Sequence, residues 1–380
     1  MRDGLRIVLT GGGTGGHVYP ALAAARAGRS DASGRLDFLY VGSPDGLEEG
    51  IVHGAGLTFE TVDAGAIRGR TPLAAARSVL RMARGVQQAR AMLARYRPHA
   101  VLATGGFVCV PVMIAARLAG VPGIVYLPDL RPGWAVRFLS RIATAVAVSF
   151  DEVTPHIHAR RVVVTGYPVR PELLDWTRDR ARAALDLPGG QPVVLVLGGS
   201  RGAQAINEAI LADLPRLLES AVVVHASGAQ HFAVLARRRQ TLPENLQARY
   251  RLHPYLDKEL APAMVAADLV VSRSGASVLG ELPAAGVPGV LVPYPYAGAH
   301  QYLNANYLAD RHAAVIVDDA DARAGALATT ILDLIADRPR LAELARNTAA
   351  LARPDAARRL FELVRDSAGG TPTLVNELTS

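Results

Sequence analysis

Leu9-Thr10-Gly11-Gly12-Gly13-Thr14-Gly15-Gly16-His17 is the stretch on which the fold turns. A strand-like run, Arg6–Thr10, feeds straight into glycines, and a helical pattern follows. Glycines after a strand let the backbone approach a ligand closely, and the N–H groups of the next helix start attract an anion. The arrangement recurs at Leu197-Gly198-Gly199-Ser200-Arg201-Gly202-Ala203 and at Ser272-Arg273-Ser274-Gly275-Ala276-Ser277. Around the first turn lie further strand-like runs at Asp37–Val41, Ala100–Ala103, Gly123–Tyr126 and Ala143–Val148. Around the others lie Pro192–Leu197, Ala221–His225, Asp268–Ser272, Gly289–Val292 and Ala314–Val317. Helix-like segments such as Leu73–Arg95, Ala203–Glu219 and His300–Arg311 separate them. This alternation predicts an α/β fold of two Rossmann-like parallel-sheet domains built from right-handed crossovers.

Gly166, Pro168 and Pro171 break any regular element, so the domain boundary is expected near Thr165–Pro171. The expected division is a first domain over 1–165 and a second over 166–350. A C-terminal helix over 351–366, able to pack back on the first domain, and a loose tail over 367–380 complete it. With 380 residues, 50% of them hydrophobic, the chain can bury two ordinary cores. Lys258 is the only lysine, and the net charge is +7. That charge permits nucleic acid, an anionic membrane or a phosphorylated substrate without choosing between them. No stacking-aromatic pattern supports nucleic acid, so none is expected as a partner. Cys109 is alone, which excludes an internal disulfide and fits a reducing, cytoplasmic setting. No signal region and no apolar run of membrane-spanning length is apparent; the run at Val108–Leu118 is broken by Pro111 and Arg117.

The turns suggest chemistry. Dinucleotide enzymes hold a ribose with an acidic residue at the end of the second strand. Here Asp45 and Glu48 are nearby but in a loop pattern. In the second half, two phosphate-type turns occur, and Glu281 lies about one helical turn inside the helix after Ser272–Ser277. A carboxylate there can accept both ribose hydroxyls while the helix start faces a diphosphate, unless it is an ordinary solvated helix charge. Ser200 is placed to donate to a phosphate. The pattern favours a nucleotide-diphosphate ligand.

Five motifs in order carry a resemblance: Gly12-Gly13-Thr14-Gly15-Gly16-His17, Gly166-Tyr167-Pro168-Val169-Arg170, Gly198-Gly199-Ser200-Arg201-Gly202-Ala203, Ser272-Arg273-Ser274-Gly275-Ala276 and His300-Gln301-Tyr302-Leu303-Asn304-Ala305. Together they resemble the MurG family, in glycosyltransferase family 28, over residues 5 to 365. The resemblance implies a GT-B architecture with two domains facing a cleft. It implies an inverting, metal-free, cofactor-free transfer of N-acetylglucosamine from UDP-N-acetylglucosamine to lipid I, the undecaprenyl-diphosphate-linked muramyl-pentapeptide. The product would be lipid II, which serves peptidoglycan synthesis and so cell-wall growth, shape and division. It also implies a peripheral enzyme on the cytoplasmic face of the cell membrane. Carried onto this chain, Glu281 binds ribose, and Ser200, Arg170 and Ala276 lie at the diphosphate. Gln301, beside His300, contacts sugar hydroxyls, and Tyr255-Leu256 borders the uracil. Thr14, Gly15, Gly16 and His17 fall on the acceptor side.

The match departs at Tyr126-Leu127-Pro128-Asp129, where the family usually has His-Glu-Gln-Asn. The family's asparagine helps hold the donor sugar; an ionised Asp129 accepts protons but donates none. Tyr167 replaces a usual asparagine, and Val278 a common threonine. For the base that inverting transfer needs, His17 is the first candidate, since imidazole titrates near neutrality, and Asp129 the second. The alternative for His17 is a helix-start residue that binds the acceptor's diphosphate without taking a proton. Arg68, Arg70, Arg77, Arg81 and Arg84, interleaved with Leu73, Val79, Leu80 and Met82, form either a face for an anionic membrane or an ordinary basic surface helix. Rival readings are a related GT-B transferase with another sugar or a non-lipid acceptor, and a nucleotide-sugar-binding protein without turnover.

Overall fold

A computed structural model of the chain describes residues 4–31, 35–44, 46–65, 72–198, 204–295 and 300–369. Among the described residues, thirteen strands form two sheets, both wholly parallel. The first sheet contains β1 (Leu5–Thr10), β2 (Leu36–Gly42), β3 (Thr58–Thr61), β4 (Ala100–Ala103), β5 (Gly123–Leu127), β6 (Ala145–Val148) and β7 (Val162–Val164), in the order β3-β2-β1-β4-β5-β6-β7. The second contains β8 (Val193–Leu197), β9 (Val222–Ala226), β10 (Tyr250–His253), β11 (Leu269–Ser272), β12 (Gly289–Leu291) and β13 (Ala314–Ile316), in the order β10-β9-β8-β11-β12-β13.

Strands buried on both faces read as continuous apolar runs, which is why the central strands stand out in the sequence. The three the reading missed, β3, β7 and β10, are all edge strands. Their side chains are mostly half-exposed, so Thr58–Thr61 and Tyr250–His253 carry polar residues and lack an apolar signature. The expected helix over 203–219 is two helices, Gln204–Ala212 and Leu214–Ser220, with Pro215 in the first turn of the second. Proline has no N–H to continue the ladder and clashes with the preceding turn.

The residues group into two compact units, Val169–Pro354 on one hand and those up to Pro168 with those from Asp355 on the other. The last helix, Ala356–Gly369, buries Leu360, Phe361, Leu363 and Val364 in the core of the first sheet's unit. There the Phe361 ring lies 6.5 Å from that of Phe38. The expected tail from 367 therefore starts no earlier than residue 370, because Ala368 still packs against that core. In each sheet the order reverses once, between β1 and β4 and between β8 and β11. Open parallel sheets bind ligands outside the carboxyl ends of their strands at such a reversal. The glycine turn after β1, Gly198 after β8 and the turn after β11 all sit there.

Candidate active site

In the first unit the turn after β1 is knitted to the turn after β4. Thr104 N–H donates to the Thr10 carbonyl at 2.9 Å, and Gly12 N–H to the Gly105 carbonyl at 3.1 Å. The Thr104 hydroxyl reaches the carbonyls of Thr10 (3.2 Å) and His17 (2.5 Å), and the Tyr40 hydroxyl that of Gly11 (3.0 Å). The helix Gly15–Asp31 begins as expected, and Thr14 is exposed with Gly15, Gly16 and His17 half-buried. His17 Nδ1 lies 2.9 Å from the Gly12 carbonyl. A carbonyl only accepts, so Nδ1 is the donor, and in the neutral ring the lone pair is on Nε2. Gly105 lies under the ring: its φ is +124°, and a Cβ there would stand 2.5 Å from His17 Cδ2. The Ala103-Thr104-Gly105-Gly106 turn escaped the sequence reading. Its signal was the same as that after β1, a buried strand into Thr-Gly-Gly and then a helix, Cys109–Leu118.

Glu48 also differs from its expected loop setting. It opens the helix Glu48–Gly54 and is 1% exposed. Its Oε1 accepts the Ser43 N–H at 2.9 Å, which draws the carboxylate inward.

Asp129 follows β5, the strand beside β4, and is half-buried. His17, Thr104–Gly106 and Asp129 thus follow the carboxyl ends of three adjacent strands. The departure at Tyr126 is of another kind. Tyr126 is fully buried, its hydroxyl 2.7 Å from Ser149 Oγ, and its ring meets that of Tyr167 edge-on at 6.5 Å. Burial raises its pKa well above the ordinary value, so it is a neutral core residue. Two departures from the family pattern, Tyr126 and Tyr167, therefore answer each other within the core. Val278 is buried as well, at the start of its helix.

In the second unit, Gly198 ends the described part of the turn after β8, and Ser200 lies outside the described residues. After β11, the segment Arg273–Ser277 leads into the helix Val278–Ala285, with Ala276 half-buried. Glu281 is 7% exposed, which rules out a solvated surface charge. The Arg170 guanidinium meets it, Nε to Oε1 at 3.1 Å. Gln301 is held from both ends: its carbonyl accepts the Ser274 hydroxyl at 2.8 Å, and its Oε1 accepts the Tyr294 N–H at 2.8 Å. Its side-chain NH₂ is the group left to donate. His300 is half-buried at the start of the helix His300–Ala309. Tyr255 is 53% exposed and Leu256 only 3%, after the edge strand β10, so of this pair Tyr255 alone presents its side chain.

A buried chain that the sequence did not reveal underlies this unit. His225 Nδ1 lies 2.9 Å from the Tyr250 hydroxyl and Nε2 2.9 Å from Asn207 Oδ1. Asn207 Nδ2 donates to the Ser227 carbonyl at 2.9 Å. Burial lowers the His225 pKa to about 3, so the ring is neutral. Asn207 stands in the first turn of the helix that follows residues 199–203. Among the described residues, no group of three His, Cys, Asp or Glu side chains is placed to hold a metal.

Arg77, Arg81 and Arg84 are exposed on the helix Pro72–Tyr96, with Val79 (56%) and Leu80 (72%) exposed between them. Arg68 and Arg70 lie outside the described residues, as does the side chain of Leu73. No helix among the described residues is long and apolar enough to cross a membrane.

Residues 7–148 match the glycosyltransferase family 28 N-terminal domain, and residues 193–360 the family's C-terminal domain. A protein of Roseiflexus sp. (strain RS-1) named UDP-N-acetylglucosamine--N-acetylmuramyl-(pentapeptide) pyrophosphoryl-undecaprenol N-acetylglucosamine transferase is 44% identical, over 95% of this chain and 94% of its own. A protein of the same name from Desulforudis audaxviator is 39% identical, over 96% and 99%. The crystal structure of Acinetobacter baumannii MurG superposes with a TM-score of 0.73 at 27% identity, over 95% of this chain and 99% of that one. With two parallel-sheet units of the GT-B type and this likeness along nearly its whole length, the chain belongs to the MurG family of glycosyltransferases, within family 28.

Proposed function

We propose that the chain moves N-acetylglucosamine from UDP-N-acetylglucosamine to lipid I, with inversion, to form lipid II for peptidoglycan synthesis. The observation that carries this is the 44% identity, over nearly both full lengths, with a protein named as that transferase. In the reaction, an acceptor hydroxyl oxygen forms a bond to the anomeric carbon as the bond from that carbon to the diphosphate breaks. UDP leaves with the electron pair, and the hydroxyl proton passes to a base.

His17 is that base: its Nδ1–H is committed to the Gly12 carbonyl, which leaves the Nε2 lone pair for the proton. Thr14, Gly15 and Gly16 line the acceptor side. Arg170 and the helix start at Ala276, with Ser200, take the charge developing on the leaving diphosphate. Glu281 accepts the ribose hydroxyls, Gln301 and His300 address the sugar, and Tyr255-Leu256 borders the uracil. Arg170 and Glu281 are paired at 3.1 Å, so donor binding exchanges partners: ribose for the carboxylate, diphosphate for the guanidinium. Asp129 stands where the family's asparagine holds the donor sugar, and this keeps a second reading, a related transferase with another sugar or a non-lipid acceptor. As a carboxylate it is also the second candidate for the base.

The enzyme works peripherally, on the cytoplasmic face of the membrane that carries its acceptor. Val79 and Leu80 enter the lipid surface while Arg77, Arg81 and Arg84 meet anionic headgroups. Incubation with UDP-N-acetylglucosamine and a short-chain lipid I analogue tests the function by UDP release. Release that requires both substrates is expected; release without the acceptor, or with another sugar nucleotide only, overturns the reading. For the membrane, sedimentation with liposomes should rise with anionic lipid and fall with salt, and binding indifferent to both refutes it.

A further inference from the structure

Glu48 is a buried acidic side chain in the first unit that the proposed reaction does not use. It is 1% exposed. One carboxylate oxygen accepts the Ser43 N–H at 2.9 Å; the other, Oε2, is buried with no hydrogen-bond partner among the described residues. A buried, half-satisfied carboxylate opposes folding, so packing alone does not account for it. Its surroundings are shaped to admit it. A Cβ on Gly12 would stand 2.6 Å from Glu48 Oε1, and one on Gly46 would collide with the same carboxylate. Gly12 is the residue whose carbonyl takes the Nδ1–H of His17 at 2.9 Å. A single residue therefore lies between a buried carboxyl group and the imidazole.

We infer that Glu48 is a positioning residue for the transfer, acting on His17 through Gly12. The inference rests on the reading of His17 as the base. The carboxylate packs against Gly12 and fixes the peptide that orients the ring. It also places a fixed negative charge behind that peptide, where positive charge develops as Nε2 takes the acceptor's proton. A carboxylate that orients and supports a catalytic imidazole is a known solution; here a glycine peptide stands between the two. The same charge opposes an acceptor diphosphate at Gly12, which disfavours anion binding as the role of His17.

The test combines Glu48→Gln, His17→Ala and the double variant, each measured for kcat, donor KM and Tm. Glu48→Gln retains an acceptor for the Ser43 N–H and removes the charge. Its Tm should equal or exceed that of the parent, its donor KM should stay within twofold, and its kcat should fall about 10- to 100-fold, as for other residues that orient a catalytic group. In the His17→Ala background the same change should have no further effect on kcat. A lower Tm with unchanged kcat makes Glu48 structural and overturns the inference, as do losses that multiply in the double variant. His17→Ala alone reads the base assignment: unchanged kcat there removes the base and this inference with it. Nitrogen NMR of His17 needs no turnover. It should show the Nδ1–H tautomer in the parent and a mixture in Glu48→Gln, and the same tautomer in both refutes the coupling.

Discussion

Glu281→Ala separates stability from donor binding. The pair it breaks is nearly buried, with side-chain exposures of 17% for Arg170 and 10% for Glu281 and a separation of 3.1 Å. Removing one partner of such a pair leaves a charge in a poorly solvated place, at about 3–5 kcal/mol for full burial. The residual exposure moves the expectation to the lower end, about 3 kcal/mol. In a unit of this size each kcal/mol corresponds to about 2–4 °C, so Tm should fall by about 6–12 °C. Donor binding suffers separately, because two hydroxyl hydrogen bonds to a carboxylate are lost, and KM for the sugar nucleotide should rise about 100-fold. The double variant Arg170→Met/Glu281→Leu removes both charges. Since apolar replacements of a buried pair are often neutral or better, its Tm should return to within a few degrees of the parent while donor KM stays high. Differential scanning fluorimetry and steady-state UDP-release kinetics read the two quantities. A Tm loss under about 2 °C in Glu281→Ala would show that solvent already screens the pair. Recovery of donor KM in the double variant would refute the placing of Glu281 at the ribose.

Other sites give further expectations. His225 should make the second unit sensitive to acid: its folded pKa of about 3 lies below the unfolded value of 6.5, so the unfolded chain binds the extra proton as pH falls below 6.5. Between pH 7 and pH 5 this group should remove about 2 kcal/mol of stability, and urea titrations of the parent and His225→Gln should differ in pH dependence by that amount. Gly105→Ala should displace the His17 ring and strain a backbone at φ +124°, lowering kcat at least tenfold and stability by about 1–3 kcal/mol; an unchanged kcat would show that the ring position is immaterial. Val79→Asp with Leu80→Asp should leave Tm and turnover on a soluble acceptor intact while liposome binding falls at least tenfold, as expected for losing about 1.5–3 kcal/mol of burial per apolar side chain; undiminished sedimentation would move the membrane face elsewhere.

What the sequence made legible follows from distance along the chain. β1, β4, β8 and β11 are continuous apolar runs, and the glycine turns adjoin them, so strand, turn and helix start are read from neighbouring residues. Edge strands β3 and β10 lacked that signal because one side of each lies open and carries polar residues, whereas β7 is an apolar run of only three valines. Contacts between distant residues left no local trace. Arg170 meets Glu281 across 111 positions, and His225 meets Tyr250 across 25. In the sequence, Tyr126 and Tyr167 are separate departures from the family pattern. Only their edge-on packing shows that they belong to one core adjustment, which leaves Asp129 as the change beyond the end of the strand.

The two sheets share their plan, one reversal of strand order with glycine-bearing turns beside it, yet they are assigned unlike work. Backbone geometry does not account for this, since both units present helix starts that favour anions. The charge set behind each turn does. In the second unit the guanidinium of Arg170 is paired with the Glu281 carboxylate, and that of Arg273 follows β11, bound to the carbonyls of Val292 and Pro293 and paired with the Asp319 carboxylate. A guanidinium there can exchange its carboxylate partner for a leaving diphosphate. In the first unit the turn rests on Glu48, whose Oε2 has no hydrogen-bond partner among the described residues. Negative charge there favours a group that gains a proton and opposes a phosphate. If that assignment holds, moving charge should move function. Glu48→Gln should weaken the discrimination of the first turn against phosphate, so inorganic phosphate should inhibit the variant more strongly than the parent. Equal inhibition of the two would show that helix starts alone, and not the charges beneath them, divide the labour.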